Sequence, residues 1–215
     1  MKKMTFSTVI VFLGIILVLL ISTITVTKLK PIYDFSIIAF DIESKTDLSR
    51  KEMVDNYSYV VDYLLNNGNN FKLPSLPFSD DGVIHFNEVR DLFNLAKIAI
   101  LIISVFLTIL LLIYRKLYRD FLYGKYIGIG LITIPIILSV IVSINFNFFF
   151  HMFHKMFFNN DKWIFDPKTD PIINILPEEF FAICGVAILT ICILVGVIIY
   201  IAYFINIRHK KCKKY

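Results

Sequence analysis

Four long stretches of the chain carry no charged residue, and they limit the folds that the rest can adopt. They are residues 4–27, 98–114, 126–147 and 180–207. About 20 consecutive apolar residues span a bilayer, where only a helix or a closed barrel satisfies its own backbone hydrogen bonds. These stretches lack the alternation of a barrel strand. The sequence therefore predicts an all-α membrane protein with four transmembrane helices, forming a single integral membrane domain over residues 1–215.

The lysines and arginines beside these stretches indicate how the helices are oriented. The formal net charge is +5, and the basic residues concentrate at both termini and between the second and third stretches, where Asp120 is the single acid. Cytoplasmic loops carry such an excess. We therefore expect a multi-pass cell-membrane protein with both termini in the cytoplasm and residues 28–97 and 148–179 outside. Because the positive charge is explained by topology, no nucleic-acid partner is expected.

The first outer segment, residues 28–97, has the pattern of a partly helical extracellular cap. Ser49 and Glu52 have the spacing of a capping box, and apolar residues recur at helical intervals until Asn66-Asn-Gly68. This predicts one amphipathic helix over about residues 50–66.

A loop and a second helix start follow in the same segment. Pro74, Pro77 and Asp80-Asp-Gly82 indicate a loop. Residues 85–92 then have the pattern of the first turns of a helix that continues into the second span. His85 is expected at the start of that helix.

The second outer segment, residues 148–179, is rich in aromatic residues and turns. It begins FFFHMFHKMFF, which contains His151 and His154. Aromatic side chains of this kind favour the lipid headgroup level, so we expect a short interfacial segment between the third and fourth helices. Straight helices place His85 about 18 Å and His154 about 13 Å beyond the ends of their spans, which predicts that the two meet.

Several short motifs in these outer segments resemble a known family. They are His-Phe-x-Glu-Val at 85–89, Phe-His-x-x-Phe-Phe at 153–158, and Asp-x-Trp, Asp-Pro, Asp-Pro-Ile-Ile and Leu-Pro-Glu-x-Phe-Phe between residues 161 and 181. With four spans and inside termini, they are similar to the lipoprotein intramolecular transacylases, membrane proteins of Gram-positive Firmicutes.

The resemblance implies an acyltransferase that works on diacylglyceryl-modified lipoproteins. Members of the family move the sn-2 acyl chain of the diacylglyceryl-cysteine to that cysteine's own α-amino group, which gives a lyso-form lipoprotein. Two outward-facing histidines do the chemistry, and they match His85 and His154. The implied active site lies at the outer leaflet among membrane lipids, and neither a metal nor a cofactor is expected.

Two histidines suit an ester-to-amide transfer. A neutral imidazole, with a pKa near 6.5, can take a proton from the amine, and an imidazolium can protonate the departing glyceryl oxygen. The amine and the ester belong to one substrate, so no serine or cysteine nucleophile is needed. The sequence does not decide which histidine is the base.

Other residues are candidates for supporting roles. Glu88, one turn from His85, is the best placed to orient it. Trp163 is expected mainly as a membrane-interface anchor, Asp161 as a turn-capping acid, and His151 as an interfacial ring. Weak candidates for stabilising an oxyanion are Asn87, Arg90, Asn159 and Asn160.

Two other classes of function stay open at this point. A metal-dependent membrane hydrolase would be assembled from His85, Glu88, His151, His154 and Asp161, although no HExxH motif is present. A non-enzymatic membrane protein that assists or senses exported proteins would need neither histidine. The oligomeric state is not predicted.

Overall fold

The protein is described by a computed structural model that covers residues 2–66, 70–118 and 120–212. The predicted helix-stop residues Asn67 and Gly68 lie outside these ranges. All the regular secondary structure of the described residues is helical and includes a 3-10 helix at Ile42–Lys45. Its α-helices are α1 (Lys2–Lys28), α2 (Lys30–Ala39), α3 (Arg50–Asn66), α4 (Asp80–Tyr118), α5 (Leu122–Ile144), α6 (Phe146–Phe157), α7 (Ile172–Ile175) and α8 (Glu178–Cys212).

Four helices, α1, α4, α5 and α8, are long and apolar enough to cross a membrane. They contain three of the uncharged stretches in full and most of the third one, residues 126–147, so the prediction of four transmembrane helices is confirmed. The apolar part of α4 leaves large side chains such as Leu101, Ile102 and Leu112 more than half exposed. Such a surface is expected where lipid rather than water surrounds a helix.

The chain divides into two compact units. One, the span unit, comprises Met1–Thr23, Ile98–Ile141 and Ala187–Tyr215, and the other, the cap unit, comprises Ile24–Lys97 and Val142–Val186. Each has its own apolar core, centred on Ile10, Tyr114 and Leu131 in the span unit and on Tyr33, Met53, Tyr57 and Ile175 in the cap unit. The single membrane domain over residues 1–215 stays a prediction.

Helix α3 follows the prediction for residues 50–66. The Ser49 amide donates to the Glu52 carboxylate at 2.9 Å, and the Glu52 amide donates to Ser49 Oγ at 3.3 Å, which forms the expected capping box. The buried face includes Tyr57, whose ring stacks on Tyr33 of α2 at 4.1 Å between centroids. Helix α2 was not predicted, because its ten residues show no capping residue and follow directly on α1.

Helix α4 begins five residues before His85, so the predicted loop at Asp80-Asp-Gly82 is wrong. Ser79 Oγ accepts the Gly82 amide at 3.0 Å and thereby caps the helix, while Asp80 and Asp81 provide the acids that favour a first turn. Asp170 Oδ1 accepts the Ser79 amide at 2.9 Å, which ties the second outer segment to this cap. His85 consequently lies on the second turn.

The third span ends earlier than predicted, because α5 runs from Leu122 to Ile144 and does not reach residue 147. Asn145 has non-helical dihedral angles (φ −156°, ψ 83°), and its side chain accepts the Phe148 amide at 3.0 Å. Asn145 therefore ends one helix and caps the next. The straight helix assumed for the height of His154 is wrong, since His154 lies on the separate helix α6.

Candidate active site

The fold of the cap unit brings His85 and His154 together. His85 lies on α4 and His154 near the end of α6, and their ring centroids are 5.9 Å apart with the planes inclined at 34°. The predicted meeting of these two side chains is thus observed, although not by the straight helices from which it was expected.

Both histidines line one cavity of about 170 Å³ in the cap unit. Its walls are mainly aromatic and aliphatic. The polar side chains that line it, among the described residues, are those of His85, His151, His154, Glu178 and Trp163, and the aromatic walls come from Phe86, Phe150, Phe165 and Phe181. A charge that develops in such a cavity is poorly solvated, so each polar group has a large electrostatic effect.

His154 is held in one tautomer. Its Nδ1 lies 2.7 Å from the carbonyl oxygen of Phe150, one turn earlier on α6. Because a carbonyl only accepts, Nδ1 carries the proton and Nε2 keeps its lone pair. The ring stacks on the indole of Trp163, with centroids 4.7 Å apart and planes at 26°.

Burial lowers the pKa of His154, and the charge of His151 lowers it further, while the Phe150 carbonyl and Glu178 raise it. Burial is the largest of these effects, so the imidazole is held below its usual pKa of 6.5. His154 is therefore a neutral base at physiological pH.

His85 is more deeply buried, with 8% of its surface exposed. Phe158 and Phe165 contact its ring edge to face, at 4.9 and 5.4 Å between centroids, and its Nδ1 has no hydrogen-bond partner among the described residues. Burial, and secondly the neighbouring His154, lower the pKa of His85 to about 4. A neutral His85 provides one N–H donor and one lone pair.

A chain of contacts joins the helix of His85 to the ring of His154. The Asn160 side-chain amide donates to Glu88 Oε1 at 2.7 Å, and the main-chain carbonyl of Asn160 accepts the Trp163 indole N–H at 3.0 Å. Trp163 is 7% exposed and stacks on His154, so it is a buried packing residue and the prediction of an interface anchor is wrong. Glu88 Oε1 thus accepts from Asn160, and neither Glu88 Oε2 nor His85 Nδ1 has a hydrogen-bond partner among the described residues.

The sequence matches the family model described as "Lipoprotein intramolecular transacylase Lit" over residues 7–181. That match covers most of the chain. The protein belongs to the Lit family. A search of curated proteins found no match.

Solved structures of Lit from Bacillus cereus resemble the whole chain. One, a membrane-integral lipoprotein intramolecular transacylase, has 29% sequence identity and a TM-score of 0.91 and covers 98% of both chains. Two others, described as carrying H85R and H85A mutations, have 28% identity and TM-scores of 0.87 and 0.86. They cover 99% and 98% of this chain and 95% and 96% of their own. Fold and family therefore agree.

Arg90 and Asn87, the candidates for oxyanion stabilisation on α4, do not line the cavity of this Lit protein. Arg90 Nη1 donates to the Tyr63 hydroxyl at 3.0 Å, and that hydroxyl donates to Asn87 Oδ1. Both side chains thus contact Tyr63 on α3, and these contacts hold α4 against α3.

Asn159 and Asn160, the other two candidates for oxyanion stabilisation, do not line the cavity, and Asn159 is exposed. Asp161, a candidate for a supporting role, is also exposed and does not line the cavity.

One residue that the sequence did not suggest lines the cavity instead, and a second one binds to it. Glu178 lines the cavity beside His151, and Asn147 donates to both Glu178 carboxylate oxygens, at 2.9 and 3.2 Å. The Leu-Pro-Glu motif indicates only that Glu178 is an acid at the start of a helix. Its contacts with Asn147 and the cavity could be identified only from the structure.

A metal centre requires several ligands around one point. Among residues 2–66, 70–118 and 120–212, no group of three or more His, Cys, Asp or Glu side chains is arranged to hold an ion. The ligand set of the hydrolase hypothesis is not gathered, since Asp161 is exposed and Glu88 hydrogen-bonds Asn160. The residues that the Lit fold brings together are suited to proton transfer.

Proposed function

We propose that this protein moves the sn-2 acyl chain of a diacylglyceryl-cysteine lipoprotein to the α-amino group of the same cysteine. The observation that supports this most directly is the pairing of His85 with His154 in an aromatic cavity, in a member of a transacylase family. The product is a lyso-form lipoprotein with one ester fewer and one amide more. Neither water nor a cofactor enters this reaction.

His154 is the general base. Its Nδ1–H is used by the Phe150 carbonyl, so Nε2 is the atom that accepts a proton. As the amine nitrogen attacks the ester carbonyl and the C–N bond forms, Nε2 takes a proton from that nitrogen. The amine must be neutral to attack, and an α-amino group has a pKa of about 7.7–8.0.

His85 stabilises the oxyanion that forms at the attacked carbonyl. Its low pKa keeps the ring neutral, and a neutral imidazole donates one N–H. The C–O bond to glycerol then breaks, and the imidazolium of His154 gives its proton to the departing oxygen. The net change is one proton from nitrogen to oxygen and one acyl group from oxygen to nitrogen, so both histidines end as they began.

The cavity encloses only the reacting groups. Its volume of about 170 Å³ is below the ~300–1,000 Å³ of sites that enclose a drug-sized ligand. The two acyl chains must therefore extend beyond it into the surrounding lipid. We place both termini in the cytoplasm and the cavity at the outer leaflet, because Lys and Arg concentrate beside the opposite ends of the spans.

The test uses purified protein and a synthetic lipopeptide with diacylglyceryl-cysteine at its amino terminus. Because the product is an isomer of the substrate, its mass does not change, and fragmentation must show the acyl group on the cysteine nitrogen. Loss of the reactive amine is a second readout. An equal mixture of two lipopeptides is used, one unlabelled and one carrying isotope labels in both its acyl chains and its peptide. This mixture distinguishes transfer within one molecule from transfer between two.

We expect an N-acyl product in which chain and peptide labels are never exchanged. Exchanged labels would show an intermolecular reaction. A free fatty acid together with a lyso-lipopeptide that keeps its amine would show a hydrolase. If the folded, monodisperse protein leaves the lipopeptide unchanged, the proposed function is contradicted.

A further inference from the structure

Glu178 is the one acidic side chain that lines the histidine cavity, as far as the described residues extend. It lies in the first turn of α8, and its side chain is 36% exposed. The remaining lining is aromatic, aliphatic or imidazole. A substrate group with a positive charge would therefore find its only carboxylate partner in this cavity at Glu178.

The carboxylate is held in place by α6. Asn147 donates to both of its oxygens, at 2.9 and 3.2 Å, and His151 Nε2 lies 3.7 Å from Oε1. Asn147, His151 and His154 recur at intervals of four and three residues, so they lie on one face of α6. His151 also contacts the edge of Trp163, at 5.1 Å between centroids, next to the stacked His154. The carboxylate and the base are thus neighbours along one helix face.

The substrate supplies a matching charge. The α-amino group of the lipid-modified cysteine is mostly an ammonium ion at neutral pH, and its transfer into an aromatic cavity without a counter-ion is unfavourable. An ammonium hydrogen bond to a carboxylate is charge-assisted and stronger than a neutral one.

We propose that Glu178 binds the α-ammonium group of the lipoprotein substrate at the cavity mouth and places it one helical turn from His154. This proposal rests on the proposed function, because it assigns the binding site of that reaction's nucleophile. The ammonium then gives one proton to solvent at the partly exposed Glu178, which leaves His154 neutral, and the neutral amine turns to the ester carbonyl beside the two histidines. Glu178 selects lipoproteins whose cysteine nitrogen is still free.

The experiment compares two inhibitors that cannot react. Both are lipopeptides with ether-linked alkyl chains, and they differ only in the cysteine nitrogen: one has a free α-amino group, and in the other a hydrogen atom replaces it. Inhibition of wild-type turnover at pH 7 gives their relative affinities. A charge-assisted hydrogen bond predicts that the amine analogue binds about tenfold or more tightly than the des-amino analogue.

Glu178→Gln should reduce this preference to about twofold or less, because the amide retains the shape but not the charge. Glu178→Asp should keep part of it. Glu179→Gln, which changes the exposed neighbouring acid, should keep all of it. Where turnover is too slow for inhibition, displacement of a fluorescent dialkyl lipopeptide from monodisperse protein measures the same ratio.

Some outcomes would overturn the inference. An equal preference in wild type and Glu178→Gln, or an equal loss of affinity for both analogues, would assign Glu178 a purely structural role at the start of α8. No preference in the wild type would also contradict it. These results are distinct from failure of the proposed function, in which the wild type does not convert the diacylglyceryl lipopeptide at all.

Discussion

The indole ring of Trp163 stacks on the imidazole of His154, with centroids 4.7 Å apart and planes at 26°. The indole N–H donates to the main-chain carbonyl of Asn160 at 3.0 Å, and the His154 Nδ1–H donates to the main-chain carbonyl of Phe150. The imidazole is therefore fixed on one face by packing and at one edge by a hydrogen bond. A fixed ring keeps Nε2 directed for proton transfer without further reorganisation.

Trp163→Phe and Trp163→Ala separate packing from the hydrogen bond. Phenylalanine keeps an aromatic face and loses only the N–H, whereas alanine removes the stack from a residue that is 7% exposed. We expect Trp163→Ala to lower kcat about 10- to 100-fold and to destabilise the protein by about 3–5 kcal/mol. Trp163→Phe should lie between this variant and the wild type. Kinetics and thermal unfolding in detergent provide the measurements.

His85 and His154 should behave as one unit in mutagenesis. Both act on the same step, His154 on the proton and His85 on the oxyanion, so His85→Ala and His154→Ala should each lower kcat about 10²–10⁴-fold, and the double variant should be little worse. His151→Ala should have only a mild effect. Additive losses from the two single variants would indicate that the histidines act in separate steps, and full activity in both would refute the mechanism.

The sequence predicted the features that depend on local chemistry. The capping box at Ser49 and the helix to Asn66 are recovered because the signals lie within one helix. The break at Asn145 was missed because uncharged, apolar residues continue on both sides, and hydropathy does not distinguish one helix from two. Ser79 followed by Asp80 and Asp81 is a helix-start signal that the glycine at 82 concealed.

The site was predictable only in part. The pairing of His85 with His154 was expected from the motifs that resemble the family. Trp163, Asn160 and Glu178 become neighbours of the histidines through irregular turns between α6 and α8, and such turns have no periodicity from which a contact can be predicted. Asp161 was expected as a turn-capping acid with a possible supporting role, and it lies exposed away from the cavity.

Asn160 and Asn159 form a matched pair for testing the contacts behind Trp163. Asn160 donates to Glu88 Oε1 at 2.7 Å and is partly buried, whereas Asn159 is exposed. Asn160→Ala leaves Glu88 without this partner and should destabilise the protein by about 1–3 kcal/mol, with a reduced kcat. Asn159→Ala should change neither. Equal effects of the two substitutions, measured by thermal unfolding and turnover, would contradict the role of this contact.

Gly82 is required by the close approach of Asp170 to the cap of α4. A Cβ atom at residue 82 would lie 2.3 Å from Asp170 Oδ1, which accepts the Ser79 amide. Gly82→Ala should therefore displace Asp170 and destabilise the protein by about 1–3 kcal/mol. Gly185→Ala is the control, because a Cβ atom there meets nothing within 4 Å. That control should be neutral or stabilising, and equal unfolding temperatures for both variants would argue against the clash.

The buried His85 should make the protein less stable in acid. Its folded pKa is about 4, below the ~6.5 expected when unfolded. As the pH falls from 6.5 to 4, the unfolded chain gains a proton that the folded protein does not, and about 3 kcal/mol of stability is lost.

His85→Phe removes this titration while keeping an aromatic ring among Phe158 and Phe165. The drop in unfolding temperature between pH 7 and pH 4.5 should be larger for the wild type than for His85→Phe by roughly 5–10 °C. Carboxylates titrate in the same range in both proteins, so the comparison cancels their contribution. An identical drop in the two proteins would mean that His85 is solvated and charges as freely in the folded state as in the unfolded chain.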